Sequence, residues 1–112
     1  MINFFYTDEY LKHDIGQHPE SIERIKTVKK LIFENYKSHN FLNPPLANKE
    51  IIYNVHEKKY VDYIFDNIPD TGFSYFDPDT VACPNSLNSY LCAVGGSVDA
   101  VNQIKMDKNK KV

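Results

Sequence analysis

The 112-residue chain contains no tryptophan, four glycines, two cysteines and, among its 13 lysines and arginines, a single arginine. Two cysteines, Cys83 and Cys92, cannot form a disulfide framework and match no CxxC spacing, so they read as small apolar side chains of a reduced protein. No apolar run approaches the roughly 20 residues of a membrane span. MINFFYTDEY lacks the basic start and apolar stretch of a secretory signal. The expectation is a cytoplasmic protein without membrane contact. Formal net charge is −2, with lysines and acids interspersed, so the basic stripe that nucleic acid requires is missing. The segment KMDKNKK alone is locally basic, and residues 106–112 read as a frayed, solvated tail. GxSxG, P-loop and GxGxxG motifs are all missing. His13, His18, His39 and His56 show none of the spacings that place two metal ligands on one helix face, so no metal site is expected within the chain. DPDT (77–80) has the start of a calcium loop without its glycine and bidentate glutamate; it reads as an exposed acidic turn able to accept hydrogen bonds from a ligand backbone.

What is present organises as three or four helices and one or two short strands, in one domain or part of one. INFFYT (2–7) suits a buried strand, and a strand fragment is expected at 40–42, ahead of Pro44 and Pro45. Pro19 fits the first turn of a helix, and Ile22, Ile25, Val28, Leu31, Ile32 and Tyr36 continue a helical period to about residue 38. Asn48 is placed to cap a short helix over KEIIYNV. A second helical phase runs over about 56–68 after a break near 55–57, which His56 is expected to support by hydrogen bonding. Residues 69–84 hold turn dipeptides and aromatics without a sustained period and read as a long, functional loop. After Pro84, Asn85 or Ser86 caps a helix whose adjacent Gly95 and Gly96 predict very close packing against another element, since each costs a helix about 1 kcal/mol.

The lone arginine stands out. On a helical wheel at about 100° per residue, Arg24 lies between Leu31 and Val28, inside the apolar arc, while Lys26, Lys30 and Lys37 lie on the solvated side. A cation there is expected to be buried and paired, a task that suits a planar guanidinium better than an ammonium. The position reads as a structural arginine tying carbonyls or a carboxylate together, as one that snorkels out to solvent, or as an internal anion or carbonyl site.

Tyr6, His13, HPESIERI (18–25), VHEKKYVDYI (55–64), FDPDT (76–80) and SLNSYLCAVGGSVDAV (86–101), in that order, resemble the amino-terminal third of the zinc-dependent deacetylase superfamily. That group includes histone deacetylases, acetylpolyamine amidohydrolases and acetoin-utilisation proteins. The resemblance runs from residue 4 to about 105 and implies an α/β, arginase/deacetylase-like three-layer fold of which residues 1–112 are a single incomplete domain. It implies that Tyr6 and Arg24 line an internal channel through which acetate leaves, that Asp79 is a substrate-holding rim carboxylate, and that His18, Pro19, Glu20, His56, Gly95 and Gly96 are structural members of the motifs. The family's tandem histidines, Asp-x-His pair and transition-state tyrosine have no counterpart in this sequence. The resemblance therefore implies no catalytic residue and no cofactor in this chain, with zinc and an acetylated amine substrate belonging to the complete enzyme. The implied partner is another copy of the chain or a missing carboxy-terminal half. Two rivals stand beside this reading: a small helical interaction or oligomerisation module built on the same scaffold, and an independent small metal protein using the Cys and His residues.

Overall fold

A parallel pair of strands frames the first 42 residues. β1 (Asn3–Phe5) and β2 (Asn40–Leu42) align Phe4 with Phe41 and Phe5 with Leu42. Parallel neighbours need a long crossover. Here it is a 3-10 segment, Asp8–Lys12, followed by α1 (Ile22–Asn35). The computed structural model describes all residues from Met1 to Val112. Aromatic rings glue α1 to the strands: Phe33 lies 4.2 Å from Phe41 and Phe4 stacks on Phe41 at 5.5 Å. Lys29 of α1 pairs with Asp8 at 2.8 Å and sits 4.6 Å over the Tyr6 ring. α1 begins three residues later than Pro19 suggests. The Glu20 N–H donates to His18 Nδ1 at 3.0 Å, holding residues 18–20 in a local turn ahead of the helix.

α2 (Lys49–Ile52) is capped as expected, the Ile51 N–H donating to Asn48 Oδ1 at 3.1 Å. The expected break follows, and α3 (Lys58–Asp66) resumes beyond it. Tyr53 donates to Asp62 at 2.6 Å and Lys49 pairs with the same carboxylate, tying the two helices together. Residues 69–84 depart from the loop reading. β3 (Ser74–Asp77) and β4 (Thr80–Ala82) form an antiparallel hairpin closed by Pro78 and Asp79. Its register shifts between Tyr75 and Asp77. Burial alternates along β3, but the outward Tyr75 beside the inward Phe76 makes two adjacent aromatics, which hides the alternation in the sequence.

α4 (Ser86–Met106) is the longest element, and its glycines do what the sequence predicts. A Cβ on Gly96 would meet Pro44 at 3.0 Å and Phe5 at 3.4 Å; one on Gly95 would collide with the Pro45 carbonyl. The connection 43–48 can therefore lie directly on the helix, where the Ala47 N–H donates to the Leu91 carbonyl at 3.0 Å. Past α4 the basic tail does not fray at its end. Lys111 forms a parallel bridge with Ile2, and the Asn3 N–H donates to the Lys111 carbonyl at 2.8 Å.

The architecture is mixed α/β and mostly helical, four helices with short strands. Its core is small: 12 of 112 residues are buried, centred on Val81, Ala82, Cys83, Cys92, Ser86 and Ser89 where β4 meets the first half of α4. The radius of gyration is 15.5 Å, above the roughly 13 Å of a compact chain this long. The surface measures 7753 Å², where a compact monomer of this mass exposes about 6300 Å².

Candidate functional site

Three of the sequence motifs converge on one cleft of about 330 Å³. Glu20 reaches it from the His-Pro-Glu turn, His56 from the break between α2 and α3, and Asp79 from the hairpin tip. The walls are apolar and aromatic, with Tyr60, Val61 and Phe65 from α3, Phe76 from β3 and Tyr90 from α4. Phe76 faces inward by the ordinary alternation of β3, between exposed Tyr75 and Asp77. An apolar cavity with a few convergent polar groups is the usual form of a small-molecule site.

The hairpin tip is built by Asp77. Its Oδ1 accepts from the Asp79 N–H and its Oδ2 from the Thr80 hydroxyl, both at 2.8 Å. The Thr80 hydrogen bond, joined by the Asp79 amide, holds the Asp77 carboxyl below its ordinary value. With Asp77 fully engaged in the turn, the exposed Asp79 carboxylate makes no hydrogen bond within the chain. It is free to accept from a ligand.

A second cleft of about 250 Å³ shares Glu20 and Tyr90 with the first and adds Tyr10, His13, Ser21 and Arg24. Arg24 corrects an expectation. It is exposed and makes no ion pair, where the helical wheel placed it inside a buried arc. The arc itself is uncovered: Val28 and Leu31 on either side are 48% and 54% exposed. A third cavity, about 180 Å³, is almost wholly apolar and holds Tyr6 with Tyr10, Ile25 and Phe41. Burial raises the Tyr6 phenol, assisted by its hydrogen bond to Asp8 at 2.9 Å. Tyr6 and Arg24 thus occupy separate cavities, linked through Tyr10 and Ile25, which border both.

Of the remaining motif residues, His18 accepts the Glu20 amide and exposed Pro19 lies in the turn between them. His56 also departs from its reading: its backbone N–H donates to the Ile52 carbonyl at 3.1 Å, but its ring makes no hydrogen bond and instead leans on Tyr60 at 5.9 Å. Sequence reasoning missed Tyr90, which borders two clefts and donates to the Val81 carbonyl at 3.3 Å, and the partnership of His13 with Ser86. Tyr90 and Ser86 lie on a helix the sequence identified, yet no local signal pairs Ser86 with a residue 73 positions away. The residues present do not fit a zinc ion: no three His, Cys, Asp or Glu side chains gather closely enough to hold a metal.

The family model for the histone deacetylase domain matches residues 18–112. Eight solved chains match as well. Among them is the crystal structure of the HDA15 HD domain, 21% identical with a TM-score of 0.83, over 98% of this chain and 34% of that one. At this identity the likeness is one of fold, and the chain spans about a third of the length of that structure. None of the curated proteins matches.

Proposed function

The chain belongs to the histone deacetylase domain family, and from that premise we propose that it is the amino-terminal portion of a zinc amidohydrolase domain which, when complete, hydrolyses acetyl-lysine or acetylpolyamine amides. This portion supplies binding surface and no catalytic group. Asp79 at the rim accepts hydrogen bonds from the substrate, and Tyr6 and Arg24 line the exit path of acetate. Zinc and its ligands belong to the rest of the domain. The observation that carries the reading is the meeting of Glu20, His56 and Asp79, from three separated motifs, around one apolar cleft. Its aromatic walls suit an alkyl chain, and the free carboxylate at its mouth suits the amide groups at the chain's head.

A chimera tests the proposal: residues 1–112 replace the equivalent segment of a family deacetylase. The chimera should hydrolyse an acetylated amine, and Asp79→Ala should lower kcat/KM by on the order of tenfold or more, the loss of charge-assisted hydrogen bonds to substrate. Full activity retained in the Asp79→Ala chimera would remove the rim role.

One observation favours a second reading, an interaction or oligomerisation module derived from the same scaffold. The surface exceeds that of a compact monomer by on the order of 1400 Å², more than the roughly 800 Å² each partner contributes to an ordinary interface. A chimera that folds without any turnover, while the isolated chain forms a stable oligomer, would favour this module.

A further inference from the structure

Between the two clefts that share Glu20 and Tyr90 stands a hydrogen-bonded cluster in which His13 borders the second cleft while Ser86 and Cys83 border neither. His13 Nδ1 lies 2.6 Å from Ser86 Oγ, and Ser86 is fully buried. The same oxygen accepts from the Cys83 N–H at 2.8 Å, and the Cys83 thiol donates to the Lys12 carbonyl at 3.3 Å. The His13 ring meets the Tyr90 ring at 5.3 Å. A Ser–His pair suggests nucleophilic catalysis, but a serine with no exposed surface cannot reach a substrate. Its value is positional.

Residues 14–20 carry the turn that presents Glu20, and the hydrogen bonds within them are local: the Gly16 N–H to Asp14 Oδ1 and the Glu20 N–H to His18 Nδ1. Two hydrogen bonds join the start of this segment to a distant element, His13 to Ser86 and the Cys83 thiol to the Lys12 carbonyl, and the one to His13 is made by a side chain. Its partner opens α4, four residues after β4 leaves the Asp79 hairpin. We propose that His13 and Ser86 form the positioning joint of the site, holding the Glu20 loop and the Asp79 hairpin in one register so that both border the same cleft. The proposal rests on the cleft being the ligand site. Both proton arrangements serve the joint. With a neutral Nδ1 the serine hydroxyl donates to it; with Nδ1–H the imidazole donates to the serine, whose hydroxyl turns to Cys83 Sγ at 3.4 Å. The titratable and charged groups facing His13 are Asp14, His18 and Glu20 on its own loop, Cys83 before α4, Tyr90 on α4, and, across the second cleft, Tyr10 of the 3-10 segment and Arg24 of α1.

The test uses the isolated chain and backbone-amide NMR. His13→Ala and Ser86→Ala should each shift the Glu20 and Asp79 amide resonances together, and Ser86→Ala should shift the urea midpoint less in the His13→Ala background than alone, because one bond is lost once. His13→Asn, which keeps a polar atom near the Nδ1 position, should restore the native resonances, whereas His13→Leu, which fills a similar volume without a polar atom, should not. On acidification the Glu20 and Asp79 amides should follow the same midpoint as the His13 ring, and lose that transition in His13→Asn. Independent, additive midpoint shifts would overturn the joint, as would unmoved Glu20 and Asp79 resonances in either variant. If one variant does not fold, the other decides. None of these readouts depends on turnover, so failure of the joint and failure of the deacetylase reading are told apart.

Discussion

At Gly95 an added Cβ would run into the backbone carbonyl of Pro45, whereas at Gly96 it would meet the Pro44 side chain at 3.0 Å. The difference sets a ranking. A backbone oxygen on a proline-stiffened connection cannot swing away, so Gly95→Ala should destabilise by about 3 kcal/mol, the upper range of overpacking. Gly96→Ala should lose about 1 kcal/mol or less, because a helical Ala regains a similar amount. Thermal or urea unfolding of the two variants checks the order, and equal effects would contradict the close approach. His13 sets a pH dependence. Burial lowers its ring below the ordinary value near 6.5, so the folded chain resists a proton that the unfolded chain accepts. Its contribution is fully present above about pH 6.5. It is lost as pH falls through 6.5 toward the lower folded value, and His13→Asn should flatten that part of the stability curve. Arg24 shows where sequence reading stops. Its apolar flanks were legible, but the wheel reports which residues share an arc, not whether another element covers it. Since Arg24 is exposed without an ion pair, Arg24→Ala should change the chain's stability by less than about 0.5 kcal/mol, like Lys26→Ala and Lys30→Ala. A loss of 1 kcal/mol or more in urea unfolding would mean the guanidinium holds a partner.

Elements with unbroken local signals were legible, and elements made by long-range pairing were not. Asn48 announced α2 by its side chain, and the cap is present at 3.1 Å. The glycine pair announced a contact but not its partner, the 44–47 connection, which the fold brings in from about 50 residues away. The hairpin stayed hidden because its outward Tyr75 is an aromatic, 67% exposed, so the sequence shows two adjacent aromatics where the strand alternates. The Asp-Pro turn was visible, but the pairing of the residues flanking it was not. The same turn yields a prediction. Both Asp77 oxygens accept hydrogen bonds, and its carboxyl is held below the ordinary value by the Thr80 hydroxyl. Its contribution is therefore present above the unfolded carboxyl value near 4 and lost as pH falls through the lower folded value. Asp77→Ala should raise amide exchange across 74–82 at neutral pH while leaving α4 protected. Unchanged exchange would show that the hairpin holds without its carboxylate.

At the scale of the whole molecule, the dominant fact is surface left uncovered. Val28 and Leu31 on α1 and Val101 and Met106 on α4 are large apolar side chains at 48%, 54%, 57% and 89% exposure. At the second edge of β1 the pairing is a single bridge just before it, between Ile2 and Lys111, and no strand lies beyond. Open strand edges and apolar patches drive association. In isolation the chain should form dimers or larger species at micromolar concentration by light scattering; a monodisperse monomer with cooperative unfolding would count against this. The central claim is that these faces belong against the rest of a deacetylase domain, and one measurement addresses it directly. The chain is mixed with the separately produced remainder of a family deacetylase domain, and hydrolysis of an acetyl-lysine peptide is followed. The expected result is no turnover from either part alone and turnover from the mixture that a zinc chelator abolishes. Chelator-sensitive hydrolysis by residues 1–112 alone would contradict it, as would a mixture that associates and stays inert.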